Sequence, residues 1–121
     1  DIKISHSGQD AAILYINPDN YVKNIVNTNP MDPCIQKPPL GEKIIVIGYP
    51  SIGSRTNVTV TEGIISGYDG DYYITSAKVE HGNSGGAAIS IKDNCYFGIP
   101  SYVQIGSVES MARIFDFTKL R

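Results

Sequence analysis

Short apolar runs, separated by glycine and Asx turns, dominate the middle of the chain. A continuous apolar run at residues 44–47 ends in a Gly-Tyr-Pro turn, and Val58 and Val60 then alternate with threonines. This two-residue period is typical of a half-buried β-strand. Further strand-like runs occupy residues 63–66, 72–79, 87–91 and 95–105. Five or six strands at such short intervals predict a small antiparallel barrel or sandwich.

The first 41 residues have a different pattern. An apolar, strand-like run at residues 11–16 follows a polar lead-in at residues 5–10. Residues 17–41 are rich in asparagine and proline, and proline fixes φ and withholds a hydrogen-bond donor from a sheet. We therefore expect residues 17–41 to form a connecting segment that lies over a surface.

The C-terminal end shows a helical period. Val108, Met111, Ala112 and Phe115 fall at the spacing of one helix face, and Ser107 is a suitable N-cap. The pattern predicts a short closing helix.

Composition and charge limit the classes of partner. The chain has 121 residues, enough for one domain with its own core. Its formal net charge of -2, without a run of lysine or arginine, gives no electrostatic footprint for nucleic acid. No stretch approaches the roughly 20 apolar residues of a membrane helix, so no membrane partner is expected.

Two cysteines, Cys34 and Cys95, are too far apart in sequence for a paired metal-ligand motif. The sequence leaves open whether they form a disulfide or remain thiols, because the redox compartment is not encoded in it. No metal or other cofactor is expected.

The segment Gly82-Asn83-Ser84-Gly85-Gly86 carries the most informative chemistry. A serine flanked by glycines on a tight turn has an accessible hydroxyl, and unhindered amides at Gly82 and Ser84 can point at one spot. Two such donors would stabilise the oxyanion of acyl transfer. The same pattern also occurs in inert structural turns.

This segment resembles the nucleophile motif of the trypsin-like (chymotrypsin-fold) serine peptidases, in the form of the bacterial high-temperature-requirement branch. Other segments resemble further strands of that family in the same order: DAAIL at residues 10–14, GEKIIVIGYP at 41–50, TVTEGIIS at 59–66 and GIPSY at 98–102. The resemblance implies an all-β fold, an antiparallel six-stranded Greek-key barrel with the short C-terminal helix. In the family this is the second of two barrels.

The resemblance also implies roles for individual residues and boundaries for the chain. Ser84 would be the nucleophile, with the Gly82 and Ser84 amides as oxyanion donors, and Asp10 would orient a histidine base. Residues 1–16 would be the last strand of an otherwise absent N-terminal barrel, 17–41 an inter-barrel linker, and 42–121 the C-terminal barrel.

Substrate contacts follow from the same resemblance. Ser101, Tyr102 and Val103 would border the specificity pocket and pair with the backbone of a peptide or protein substrate. Lys78 falls where the family places the residue at the pocket base, although a solvated lysine on a strand is the simpler interpretation. His81 could border the substrate, or be a plain loop residue.

The general base is missing from its family position. That histidine lies tens of residues before the aspartate, whereas nine residues precede Asp10 here. His6 is most simply a solvated residue. We therefore expect a C-terminal fragment with little or no activity by itself, whose partner is an N-terminal barrel carrying the catalytic histidine.

Two functions follow from these expectations: a serine endopeptidase acting through an acyl-enzyme, or a protease-like module that binds extended peptides without cleaving them. The strand at residues 10–16 would have nothing to pair against unless a partner chain supplies the rest of its barrel, and such exposed edges favour association or swapping with a second copy of the chain. The sequence does not identify a compartment, and the resemblance alone is compatible with an extracytoplasmic or secreted location.

Overall fold

A computed structural model describes residues 30–49, 57–80, 82–101 and 111–120 in full, and the backbone of residues 2–4 and 12–14. Within these ranges, no helix is long and apolar enough to cross a membrane. The described elements are the strands β1 (Ile2–Ile4), β2 (Ala12–Leu14), β3 (Lys43–Gly48), β4 (Thr59–Asp69), β5 (Tyr72–Thr75), β6 (Ala87–Ser90), β7 (Cys95–Ser101) and β8 (Ala112–Asp116), and a 3₁₀ helix at Phe117–Lys119.

Six of these strands close into an antiparallel barrel in the order β3-β4-β5-β8-β7-β6. Successive strands form the hairpins β3–β4, β4–β5, β6–β7 and β7–β8. The chain between β5 and β6 crosses the barrel, because β5 pairs with β8 whereas β6 pairs with β3. This is a Greek-key arrangement, and it confirms the predicted six-stranded barrel.

The barrel interior is filled by side chains from strands far apart in sequence. Ile44 and Val46, on the inner face of β3, are completely buried. They belong to one cluster with Phe97 of β7 and Ile114 of β8, which are at most 1% exposed. Burying each such side chain contributes about 1.5 to 3 kcal/mol, so this cluster is the main source of barrel stability.

At the start of β4, the threonines occupy the more buried positions. Thr59 and Thr61 are partly buried, whereas Val58 and Val60 are 47% and 56% exposed. The Thr61 hydroxyl donates a hydrogen bond of 2.8 Å to the carbonyl of Lys78. The two-residue period predicted from the sequence is present, but the apolar residues lie on the outer face.

The C-terminal pattern predicts a helix, and this prediction is wrong for the described part of the segment. Ala112 and Phe115 lie on β8, which pairs with β5 on one side and β7 on the other. Both faces of β8 are covered, since Ile114 is fully buried and Phe115 packs edge-on against Tyr72 at 5.6 Å. A strand buried on both faces lacks alternation, so its apolar residues can imitate a helical period.

Helical structure at this end is limited to the 3₁₀ turn Phe117–Lys119 among the described residues. The side chain of Asp116 caps it by accepting a hydrogen bond of 3.0 Å from the Thr118 amide. Ser107 and Val108, assigned to the predicted helix, lie outside the described residues.

The apolar run near the N-terminus does not lack a pairing partner, contrary to the expectation from sequence. The backbone of β2 pairs antiparallel with β1, with Ile2 opposite Leu14 and Ile4 opposite Ala12. A strand of three residues gives almost no periodic signal, which explains why the sequence did not reveal β1.

The described end of the predicted connecting segment runs beside β7. Cys34 and Cys95 form a disulfide with a Cα–Cα distance of 4.9 Å. The Cys34 amide donates a 2.7 Å hydrogen bond to the carbonyl of Tyr96, whose own amide donates one of 3.0 Å to the carbonyl of Asp32. The structure thus resolves the choice that the sequence left open, and the disulfide fixes residues 30–41 to the barrel wall.

Replacing both cysteines by alanine should lower the free energy of unfolding by about 2 to 4 kcal/mol, because the bridge closes a loop between residues 61 positions apart. Urea unfolding measures the change. Ile35→Ala is the matched control, since its side chain is fully exposed beside Cys34 and its removal should leave stability unchanged. Equal stability of the double variant and the control would mean that the disulfide does not restrain the unfolded chain.

Candidate active site

The glycine-rich turn predicted to hold the nucleophile lies just before β6. Gly82 and Gly85 have φ values of 97° and 83°, in the left-handed region that side chains with a Cβ rarely adopt. Glycine is therefore required at both positions for the chain to follow this path around Ser84.

Hydrogen bonds hold the turn together and attach it to β7. The Asn83 amide donates to the Glu80 carbonyl and the Gly86 amide to the Asn83 carbonyl, both at 3.0 Å. The Gly85 amide donates to the Pro100 carbonyl at 3.1 Å. These three amides are directed at backbone carbonyls, so they are not the ones that could face an oxyanion above Ser84.

The turn also rests directly on the end of β3. A Cβ at Gly86 would lie 2.1 Å from the carbonyl oxygen of Ile47, and a Cβ at Gly48 would lie 2.6 Å from Oδ1 of Asn83. Distances this short leave no room for a side chain at either glycine. The backbone of the turn and the backbone of β3 are therefore in direct contact.

Asn83, within the turn, is buried, which the sequence did not predict. Its side chain is 2% exposed, and Oδ1 has no hydrogen-bond partner among the described residues. A buried acceptor without a partner costs about 1 to 3 kcal/mol. The missing side chains of Gly48 and Gly86 make room for Asn83 and the turn.

Ser84 itself is exposed at the top of this turn, as the sequence predicts for a nucleophile. Gly82, the other predicted oxyanion donor, is exposed two residues before it. Ser101 ends β7 and is half-buried directly after Pro100, the residue that anchors Gly85. The fold thus brings Ser84, Gly82 and Ser101 to one end of the barrel.

Lys78 is exposed between the buried residues Ala77 and Val79. Its backbone carbonyl accepts a hydrogen bond from the Thr61 hydroxyl. An exposed lysine agrees with the simpler interpretation, and a place at the base of a specificity pocket stays a prediction.

The remaining predicted site residues lie outside the described residues. These are Asp10, His6, His81, Tyr102 and Val103. Among the residues that the structure does describe, no group of three or more His, Cys, Asp or Glu side chains is placed to hold a metal ion.

In the described part of the chain, cavities adjoin the disulfide, and the described site residues Ser84, Gly82, Ser101 and Lys78 do not line them. One, of about 410 Å³, is bordered by residues 32–36 and 93–95, and another, of about 220 Å³, lies beside Tyr73 and Asp116. The Tyr73 hydroxyl donates a 3.4 Å hydrogen bond to Asp116. Burial raises the pKa of the Tyr73 phenol, and its neighbour Asp116 raises that pKa further.

Gly86→Ala should destabilise the protein by about 1 to 3 kcal/mol, the usual cost of overpacking, because its Cβ would collide with the Ile47 carbonyl. Thermal unfolding measures the effect. Gly67→Ala on β4 is the control, since its Cβ would meet Ile74 at an ordinary 3.8 Å. Equal melting temperatures for the two variants would disprove the tight contact between the turn and β3.

Asn83→Asp should produce a stability loss that grows with pH. Burial without a partner raises the pKa of a carboxyl above the value of about 3.9 that it has in the unfolded chain. The folded variant would then hold a proton that the unfolded chain releases, so stability falls as pH rises above about 4. Denaturant unfolding from pH 4 to 7 measures this against Asn94→Asp, which changes an exposed residue. Parallel pH curves for the two variants would contradict the burial of Asn83.

The chain is similar to known proteins in sequence and in fold. Residues 3–99 match the family described as the trypsin-like peptidase domain. The chain is 36% identical over 98 residues to a protein of Arabidopsis thaliana named protease Do-like 12, mitochondrial, a match that covers 73% of this chain and 18% of the relative.

The fold also resembles those of solved proteases. The serine endoprotease from Yersinia pestis has a TM-score of 0.65 and 26% identity, over 77% of this chain and 33% of that one. The HtrA-type protease AlgW with tripeptide has a TM-score of 0.55 and 27% identity, over 67% of this chain and 29% of that one. The chain thus spans a third or less of the length of these relatives. It belongs to the family of trypsin-like peptidase domains, and its homologues in sequence and structure are Do-like, HtrA-type proteases.

Proposed function

We propose that the protein of which these residues form part is a serine endopeptidase that cleaves peptide bonds through an acyl-enzyme at Ser84. The observation that carries the proposal is the placement of Ser84. It is exposed on a glycine-framed turn, and that turn is fixed to β3 on one side and to β7 on the other. An accessible hydroxyl on a rigid support is what nucleophilic catalysis requires.

The reaction would proceed in two stages, formation of the acyl-enzyme and its hydrolysis. The Ser84 hydroxyl gives its proton to an imidazole as its oxygen bonds to the carbonyl carbon of the substrate. The amides of Gly82 and Ser84 stabilise the resulting oxyanion. The imidazolium then protonates the leaving amine as the peptide bond breaks, and water hydrolyses the Ser84 ester with the imidazole again acting as base.

The base is proposed to come from an N-terminal barrel outside these 121 residues, and Asp10 is proposed to orient it. A serine without a base is a weak nucleophile. The 121 residues alone should therefore hydrolyse peptides poorly.

Substrate would bind as an extended strand along residues 101–103, so that its main chain pairs with the end of β7. Support comes from the position of Ser101, which follows the residue that holds Gly85. A peptide paired there would run past Ser84. The HtrA-type protease AlgW, which resembles this chain in fold, has been solved with a tripeptide. That structure is in keeping with a peptide substrate for this chain.

A fluorophosphonate probe tests the proposal, because such probes react only with an activated serine. In the full-length protein, intact mass should detect the label. The Ser84→Ala variant should remain unlabelled, since loss of a nucleophile removes nearly all activity. Ser66→Ala is the control, because Ser66 is an exposed serine on β4 and its loss should leave labelling unchanged.

Absence of labelling in the natural protein, combined with binding of extended peptides, would instead support a protease-like module that does not cleave. Labelling that persists in Ser84→Ala would place the nucleophile elsewhere.

A further inference from the structure

The Cys34–Cys95 disulfide lies at the surface of the barrel between two exposed stretches of chain. Residues 30–33 and 35–37 are exposed on the Cys34 side, and residues 91–94 are exposed on the Cys95 side. Cys34 is itself half-buried, whereas Cys95 is 7% exposed. Cys34 is therefore the more accessible half of the bridge. We call residues 30–37 the bridged segment.

A cavity of about 410 Å³ leads to this bridge. Its lining consists of residues 32–36 and 93–95, so both cysteines belong to it. Every lining residue except the cysteines is exposed, which means that the cavity opens to solvent. Reduction of a disulfide begins when a thiolate attacks one of the two sulfurs, and its rate depends on access to that sulfur. The cavity gives a thiol that access.

Apart from the disulfide, weak contacts hold the bridged segment to the barrel. Two backbone hydrogen bonds join it to the start of β7, one from the Cys34 amide to the Tyr96 carbonyl and one from the Tyr96 amide to the Asp32 carbonyl. The Lys37 ammonium lies 4.1 Å from the centroid of the Tyr68 ring. Water can replace each of these contacts at an exposed segment, so none of them retains the segment as the covalent bond does.

These features make the bridge reducible while the barrel stays folded. A disulfide resists reduction when the fold keeps its two thiols side by side, because the thiols then re-form the bond. Here Cys34 would move away with the bridged segment. The release would end at Pro38, which is buried and whose carbonyl accepts a 2.9 Å hydrogen bond from the Tyr68 hydroxyl. These 121 residues contain no third cysteine, so oxidation within them restores the same bond.

We propose that Cys34–Cys95 is a thiol–disulfide exchange site, at which a dithiol reductant enters the cavity, opens the bridge in the folded protein and releases the bridged segment from β7. A thiolate of the reductant attacks Sγ of Cys34, the bond to Cys95 breaks, and the Cys95 sulfur leaves with the electron pair and takes up a proton. The second thiol of the reductant, as a thiolate, then attacks the mixed disulfide and frees Cys34, which is protonated in turn. The protein gains two electrons and two protons, and the dithiol becomes a disulfide. Ser84 takes no part, so this exchange is independent of peptidase activity.

The charge of the cavity affects which thiols react there. The carboxylates of Asp32 and Asp93 belong to its lining, one from the bridged segment and one from the turn between β6 and β7. Among the described residues of this lining there is no lysine, arginine or histidine. Negative charges beside the path repel an anion. A thiol that also carries a positive charge is therefore preferred over one that carries a second negative charge.

Reduction by dithiothreitol tests whether the bridge opens in the folded state. In the full-length protein without denaturant, alkylation of Cys34 and Cys95, followed by mass spectrometry of their peptides, should proceed at a rate proportional to the dithiothreitol concentration. Hydrogen exchange of the Cys34 and Tyr96 amides should become about tenfold faster after reduction, whereas exchange of the Ile44 and Val46 amides should not change. A reduction rate equal to the rate of global unfolding, or unchanged exchange at Cys34 and Tyr96, would overturn the proposal.

A charge reversal tests the path of attack. Asp93→Lys should speed reduction by mercaptoethanesulfonate, an anionic thiol, about fivefold at low ionic strength. Glu62→Lys is the matched control, because it makes the same change of charge at an exposed residue of β4, three strands away from β7 in the barrel order. Equal rates for the two variants would mean that the thiol does not reach the bridge through the cavity, and would contradict the proposal.

Discussion

Direct contact between two stretches of backbone, the end of β3 and the glycine-rich turn, determines how the rest of this site is arranged. The carbonyl of Ile47 lies where a Cβ of Gly86 would be, and Asn83 lies where a Cβ of Gly48 would be. Since no side chain separates them, the turn takes its position from the barrel itself. The barrel strands therefore support the turn that carries Ser84.

This arrangement carries a local cost. Gly82 and Gly85 lose on folding the conformational freedom that makes their left-handed backbone accessible, and Asn83 buries an acceptor without a partner among the described residues. Such costs are usual at functional sites, where the surrounding structure must offset them. Here the closed barrel, its interior cluster and the Cys34–Cys95 disulfide supply that stability.

The sequence predicts the barrel well because five of its strands carry clear local signals, with apolar runs bounded by glycine turns. It fails at β8, where burial of Ile114 and Phe115 on opposite faces removes the alternation that marks a strand. It also fails to show which face of β4 is inside, because a period of two is the same for both faces. The outward position of Val60 depends on pairing with Ile47, which is set by tertiary structure.

At the site, the sequence predicts the exposed serine and its glycines because both follow from local turn chemistry. The burial of Asn83 depends on a contact with Gly48, 35 positions earlier in the chain, and no local pattern encodes it. The central claim, that Ser84 stands beside two converging amides, can be tested by a crystal structure of the phosphonylated protein. We predict that the phosphonyl oxygen lies about 3 Å from the amide nitrogens of both Gly82 and Ser84. A phosphonyl oxygen directed into solvent, with neither amide in reach, would contradict the account.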